Sequence, residues 1–144
     1  MAAPSGALTK VANEQEIRAL LARIDAAWNA ADAVAFGANW TEDGTNVNPF
    51  GVLFEGRASI QADIADSLAG PLKGSQHRLE VGAVYWPQPG TAVVDGDAEI
   101  SNMTGPDGEA WPPLRAKFTG VCVKHGREWS VAHLRAYVFL SENG

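Results

Sequence analysis

His133 stands in the run Trp129-Ser-Val-Ala-His133-Leu-Arg-Ala-Tyr137, where apolar residues hold a histidine in mid-segment. A neutral imidazole in such a setting can take or give a proton near neutral pH, which makes His133 the first candidate general acid/base. A histidine hydrogen-bonded inside the core or at a subunit face produces the same text, so both readings stand. His77 opens an earlier segment and is expected at a rim or on the surface; His125 falls in a turn. Asn46 and Asn48 alternate close to Trp40, Phe50 and Phe54. Amides among aromatics suit a flat, mostly apolar ligand with a carbonyl or hydroxyl, while asparagines that merely form a turn are the alternative. An amide has no basic lone pair at neutral pH, so the catalytic part open to Asn48 is to orient a carbonyl or a water.

Glu99 and Arg115, with Asp97 and Lys117, alternate on neighbouring segments with opposite sign. Cross-strand ion pairs on a solvated or subunit-facing sheet are the expectation. A buried carboxylate–Arg–carboxylate array that positions an attacking water is the alternative, and in an enzyme Arg115 or Arg135 would stabilise an anion. Tyr137 is open between core, rim and dimer contact, and Trp28 and Phe36 are expected as plain core. Cys122 is the one cysteine, which excludes an internal disulfide and, alone, a zinc site. With no base beside it in sequence, it reads as a buried, inert thiol.

These residues need a frame to position them. Residues 1–12 are small and polar and are expected to form a loose arm, with one domain over 13–140. Asn13 and Glu16 fit a capping box, and Ile17, Leu20, Leu21, Ile24, Ala27 and Trp28 then recur as one helical apolar stripe. Asp32 caps a short second helix carrying Val34, Phe36 and Trp40. Short extended pieces follow at Thr45–Phe50 and Val52–Glu55. A third helix runs through Ile60, Ile64 and Leu68 and stops at Gly70-Pro71. After Gly74 the period changes to strands, predicted at Gln76–Trp86, Thr91–Met103, Trp111–Lys124 and Glu128–Leu140. Three helices and then four strands in succession predict an α+β domain, a curved antiparallel meander covered on one face. Alternation splits each strand into two faces, and a single bulge would reverse them.

Trp28-Asn-Ala-Ala-Asp32, Trp40-Thr-Glu-Asp-Gly44, Phe54-Glu-Gly-Arg57 and Gly126-Arg-Glu-Trp129, in that element order, resemble the nuclear transport factor 2-like (cystatin-like) cone and its SnoaL-like members. Within it the text looks most like the SgcJ/EcaC group, associated with enediyne and other polyketide gene clusters. That resemblance implies a fold of three N-terminal helices packed on a curved antiparallel sheet. Ketosteroid isomerases of the superfamily use a Tyr on the first helix, an Asp base before a Pro and a late Asp in the sheet. The matching positions here hold Ile24, Asn48 and, within a residue or two, Gly120. Isomerisation by that set of residues is therefore excluded.

Composition bounds the partners. The 144-residue chain has 11 Lys and Arg against 17 Asp and Glu, a formal charge of −6. An acidic chain lacks the basic footprint for nucleic acid or anionic lipid, and no apolar run reaches the roughly 18 residues of a membrane span. No Gly-x-Gly-x-x-Gly cradle follows a strand, so no nucleotide cofactor is expected, and no metal. The expectation is a cytoplasmic homodimer that encloses a small hydrophobic polyketide-like ligand. It would act on that ligand without a cofactor, in the manner of a cyclase or isomerase, or assist a biosynthetic partner enzyme. The alternative is a non-catalytic ligand-binding or dimerisation module. His133 and Asn48 are the catalytic candidates; Trp40, Asn46, Phe50, Phe54, Glu99, Arg115, Arg135 and Tyr137 are the candidate ligand contacts.

Overall fold

Helix α1 spans Gly6–Asn29 in the computed structural model, which describes residues 6–139. It starts before Asn13, so the predicted capping box is absent. Nothing from Gly6 to Ala12 forbids helical geometry, there being no proline, and Ala, Leu and Lys are good helix formers. The apolar stripe predicted from spacing is buried throughout, from Ile17 to Trp28. Ala31 breaks the helix at φ 55°, and Asp32 caps α2 (Ala33–Gly37) by accepting the Ala35 amide at 3.0 Å. Helix α3 (Arg57–Ala69) buries Ile60, Ile64 and Leu68.

Six strands form one sheet: β1 (Trp40–Val47), β2 (Leu53–Glu55), β3 (Gln76–Gln88), β4 (Thr91–Ser101), β5 (Leu114–His125) and β6 (Glu128–Tyr137). Their order is β2-β1-β6-β5-β4-β3. The last four make the predicted antiparallel meander, while β1 joins β6 in parallel and carries β2 as a short hairpin arm. Helices lie on one face of this curved sheet, and the architecture is α+β. Gly96 is required at its centre. A Cβ there would overlap the Glu80 carbonyl and stand 2.7 Å from Phe118 Cε1, so only glycine seats the Phe118 ring.

The feature that decides the site is a bulge in β6. Opposite β5, the register slips between Val121↔His133 and Cys122↔Val131, leaving Ala132 as the extra residue. Before it, Trp129 and Val131 point to the helix layer and are buried; after it, Leu134 takes over that face. Strict alternation would put His133, Arg135 and Tyr137 on the face of Trp129 and Val131; the bulge turns them to the opposite side, where they are exposed.

Candidate functional site

Between helices and sheet lies a cavity of about 620 Å³. Trp28, Phe36, Trp40, Ile64, Ile100, Phe118 and Leu134 supply much of its wall, and Asn48, Pro49, Phe50, Pro106 and Trp111 frame it on loops. Polar groups are few, which is the usual composition of a small-molecule site.

The best-defined polar group is His77, the first inward residue of β3. Its Nδ1 lies 2.8 Å from Asp25 Oδ1, on the α1 stripe. A carboxylate only accepts, so Nδ1 carries a proton; in the neutral ring the lone pair is then on Nε2, which has no protein partner among the described residues. Asp25 is itself held, both oxygens accepting the Leu79 amide at 3.0 and 3.1 Å. The His77 backbone is gripped by Asn29, whose Oδ1 accepts the His77 amide at 2.8 Å and whose Nδ2 donates to its carbonyl at 3.3 Å. Trp28 stacks on the imidazole, centroids 4.7 Å apart at 28°, and Phe36 meets its edge. The Trp28 indole is fixed in turn by donating to Ser75 Oγ at 3.1 Å. An imidazole immobilised by carboxylate, backbone and aromatic plane, on a cavity wall, is the arrangement a general base requires.

Two further polar side chains line the cavity from other walls. Asn46 projects from β1 and is 8% exposed. Asp63 projects from α3, where burial among apolar neighbours raises its carboxyl above the ordinary range and Asp66 adds to the rise. Ser67 Oγ–H, 3.4 Å from Asp63 Oδ1, opposes it. Among the described residues no group of three or more His, Cys, Asp or Glu side chains could hold a metal ion.

The residues singled out from the sequence divide between the two faces. Trp40, Asn46, Asn48 and Phe50 line the cavity. Asn48 is spoken for, since its Oδ1 accepts the Phe50 and Val52 amides, both at 3.0 Å, and shapes the β1–β2 turn. Phe54 packs half-buried against the core outside the cavity lining. His133 does not reach the cavity: the Ala132 bulge sends it outward, where its Nδ1 sits 2.7 Å from Thr45 Oγ1. Arg135 donates to the same hydroxyl at 2.9 Å. Glu99 and Arg115 pair at 3.1 Å on that outer face, and Tyr137 lies 3.4 Å from Thr119 Oγ1 there. Cys122 is buried with no acid–base partner, and burial pushes its thiol up to about 12.

Asp25 and Asp63 went unmarked in the sequence, while His77, expected at a rim or on the surface, and Trp28 and Phe36, expected as plain core, all line the cavity. One signal was present: Asp25 occupies a stripe position, four after Leu21 and three before Trp28. A carboxylate on the apolar stripe of a core helix has to find a partner.

Curved sheet, helix layer and enclosed cavity define the class: a cystatin-like, nuclear transport factor 2-like cone. The family model of the SnoaL-like domain matches residues 9–135, and the chain belongs to that family. Solved structures agree on the fold. A cystatin-like domain of unknown function from Nostoc punctiforme superposes with TM-score 0.78 at 21% identity, covering 92% of this chain and 80% of that one. A candidate scytalone dehydratase from Novosphingobium aromaticivorans gives 0.78 at 12% identity over 92% and 87%. A candidate aromatic ring hydroxylase from the same organism gives 0.79 at 18% identity over 91% and 92%. No curated protein sequence matches the chain. No helix among the described residues is long and apolar enough to cross a membrane.

Proposed function

We propose that this protein encloses a small, mostly apolar molecule in its cone and moves a proton on it, with His77 as general acid/base and Asp25 as its positioning residue. The observation that carries the reading is the Asp25–His77 pair on the cavity wall, 2.8 Å apart and stacked on Trp28. His77 Nε2 would abstract a proton from carbon next to a carbonyl, and Asp25 would stabilise the imidazolium that forms. Asn46 would orient the carbonyl. Returning that proton elsewhere is an isomerisation; losing a hydroxide β to the carbonyl is a dehydration; attack of the carbanion on a second carbonyl is a cyclisation. All three run without a cofactor, and a candidate scytalone dehydratase is one of the structures of this fold that the chain resembles.

The likeness to the SgcJ/EcaC group extends the proposal to a polyketide-type substrate in secondary metabolism, handled in the cytoplasm by a homodimer joined through the outer sheet face. A non-catalytic binding module is the second reading. It is favoured by Ile24, Asn48 and Gly120, which stand where isomerases of the fold carry their acids.

The test is to purify the protein from its producing host, extract what it carries and assay that species with wild type, His77→Gln and Asp25→Asn. Turnover lost in His77→Gln with affinity retained supports the enzyme. Bound species without turnover in wild type supports the module.

A further inference from the structure

All 11 lysines and arginines lie within the described residues, and none lines the cavity. Three of them are committed elsewhere. Arg57, behind β1, donates from both Nε and Nη2 to the Trp40 carbonyl, at 3.0 and 2.7 Å. Arg115 and Lys117 pair with Glu99 and Asp97 on the far side of the sheet. An anionic ligand entering this apolar space would lose its water and meet no counter-ion, the most expensive kind of burial.

What it would meet is Asp63. This residue projects from the middle of α3, on a different wall from the α1–β3 pair, with Ile64 beside it and Ser67 one turn on, all three lining the cavity. Ser67 reaches only Oδ1, leaving Oδ2 without a protein partner among the described residues. Asp25, the half-buried acid behind His77, already accepts from His77 and from the Leu79 amide. So the titratable groups of the cavity stand at two poles, with the Asn46 amide as a further polar contact from β1: an imidazole that can act as base, and a carboxyl that can only accept from a donor or, when protonated, give one proton.

We propose that Asp63 determines the specificity of the cavity, selecting ligands that are uncharged and present a hydroxyl to the α3 wall, and rejecting acids. The inference rests on the reading of the cone as a ligand enclosure, but not on whether His77 turns anything over. Burial that already holds the Asp63 carboxyl above its ordinary range acts in the same direction, since a second carboxylate would raise it further.

Three probes of nearly equal size separate the terms: 4-phenylphenol, its methyl ether and 4-phenylbenzoate, titrated at pH 7 against the full chain by tryptophan fluorescence. In wild type the phenol binds about tenfold more tightly than the ether, the fold-change expected for one hydrogen bond to a charged or polarised acceptor. The benzoate binds more weakly still. Asp63→Leu removes the preference for phenol over ether, and Asp63→Asn improves the benzoate at least several-fold while keeping the phenol. Circular dichroism verifies that both variants fold, and Asp63→Asn, the isosteric change, suffices alone if Asp63→Leu does not. Equal binding of phenol and benzoate in wild type, or a phenol-to-benzoate ratio unchanged in Asp63→Asn, overturns the assignment of Asp63 while the enclosure stands. Failure of all three probes to bind overturns both.

Discussion

The two faces of strands β4, β5 and β6 are built from alternate residues of the same segments, yet they do opposite things. Inward are Ala98, Ile100, Ala116, Phe118 and Leu134; outward are Asp97, Glu99, Arg115, Lys117 and Arg135. The outer face holds most of the residue types that chemistry uses, and there they pair with neighbours in reach of water, which weakens each interaction. The inner face holds almost none, and the cavity draws its polar groups from elsewhere: Asp63 on α3, Asn46 on β1 and, at the start of β3, His77 with Asp25 of α1 behind it. Enclosure, not abundance of reactive side chains, marks the site. A single imidazole on a fixed carboxylate in a water-poor cavity can do more than a row of exposed charges.

That contrast can be broken at several points. The largest effect is expected from the two histidines. His77→Gln should lower turnover by roughly 10²–10⁴-fold, the usual range for a lost general base. His133→Gln, on the outer face, should leave kcat/KM within about twofold, because its Thr45 contact touches no ligand. Single-turnover rates on the extracted ligand decide this, and equal losses in both variants would erase the distinction between faces.

Truncating the inner face should cost more than anything on the outer one. Phe118 is fully buried on the Gly96 backbone, so Phe118→Ala should destabilise by about 3–5 kcal/mol in urea denaturation. A loss below 1 kcal/mol would mean that the cavity wall collapses freely around it.

Cys122 gives the inner face a pH signature. Its thiol is raised to about 12 from the ordinary 9.0, so the folded chain keeps a proton that the unfolded chain has lost. Stability from this group is complete below pH 9 and falls as pH rises towards 12, since the unfolded state then binds fewer protons. Cys122→Ala should flatten that part of the alkaline stability curve. In the native protein at pH 8, iodoacetamide should leave the thiol unmodified and react only on unfolding.

The smallest effect belongs to the outer face. A double-mutant cycle on Glu99 and Arg115, whose guanidinium side chain is 78% exposed, should return less than about 1 kcal/mol and shrink further in salt.

Much of the fold could be read from period and punctuation. Ile17 to Trp28 repeat at helical spacing, the segments after Gly74 alternate, and Gly-Pro-Asp-Gly at 105–108 and His125-Gly126 part the strands. Most of the predicted strand boundaries fall within about two or three residues of those in β3 to β6. The parallel seam of β1 on β6 was not readable, because pairing between segments some 90 residues apart leaves no local trace. In the candidate site, Trp40, Asn46 and Phe50 could be picked out by aromatic and amide spacing. Asp25 and His77 could not be joined, lying 52 residues apart with unremarkable neighbours.

What the sequence determined by itself is the alternation: which residues of β4 and β5 face together follows from the two-residue period of a strand. Which face of β6 lines the cavity was decided by one extra residue, Ala132, whose insertion depends on how β6 packs between β1 and β5. Without that bulge, His133 would continue the inward line of Trp129 and Val131. With it, the imidazole on the inner side is His77, whose place was set when α1 docked on β3 and brought Asp25 against it. Periodicity is a local property of the chain, whereas a bulge and a carboxylate–imidazole contact are settled only by the packing of distant segments.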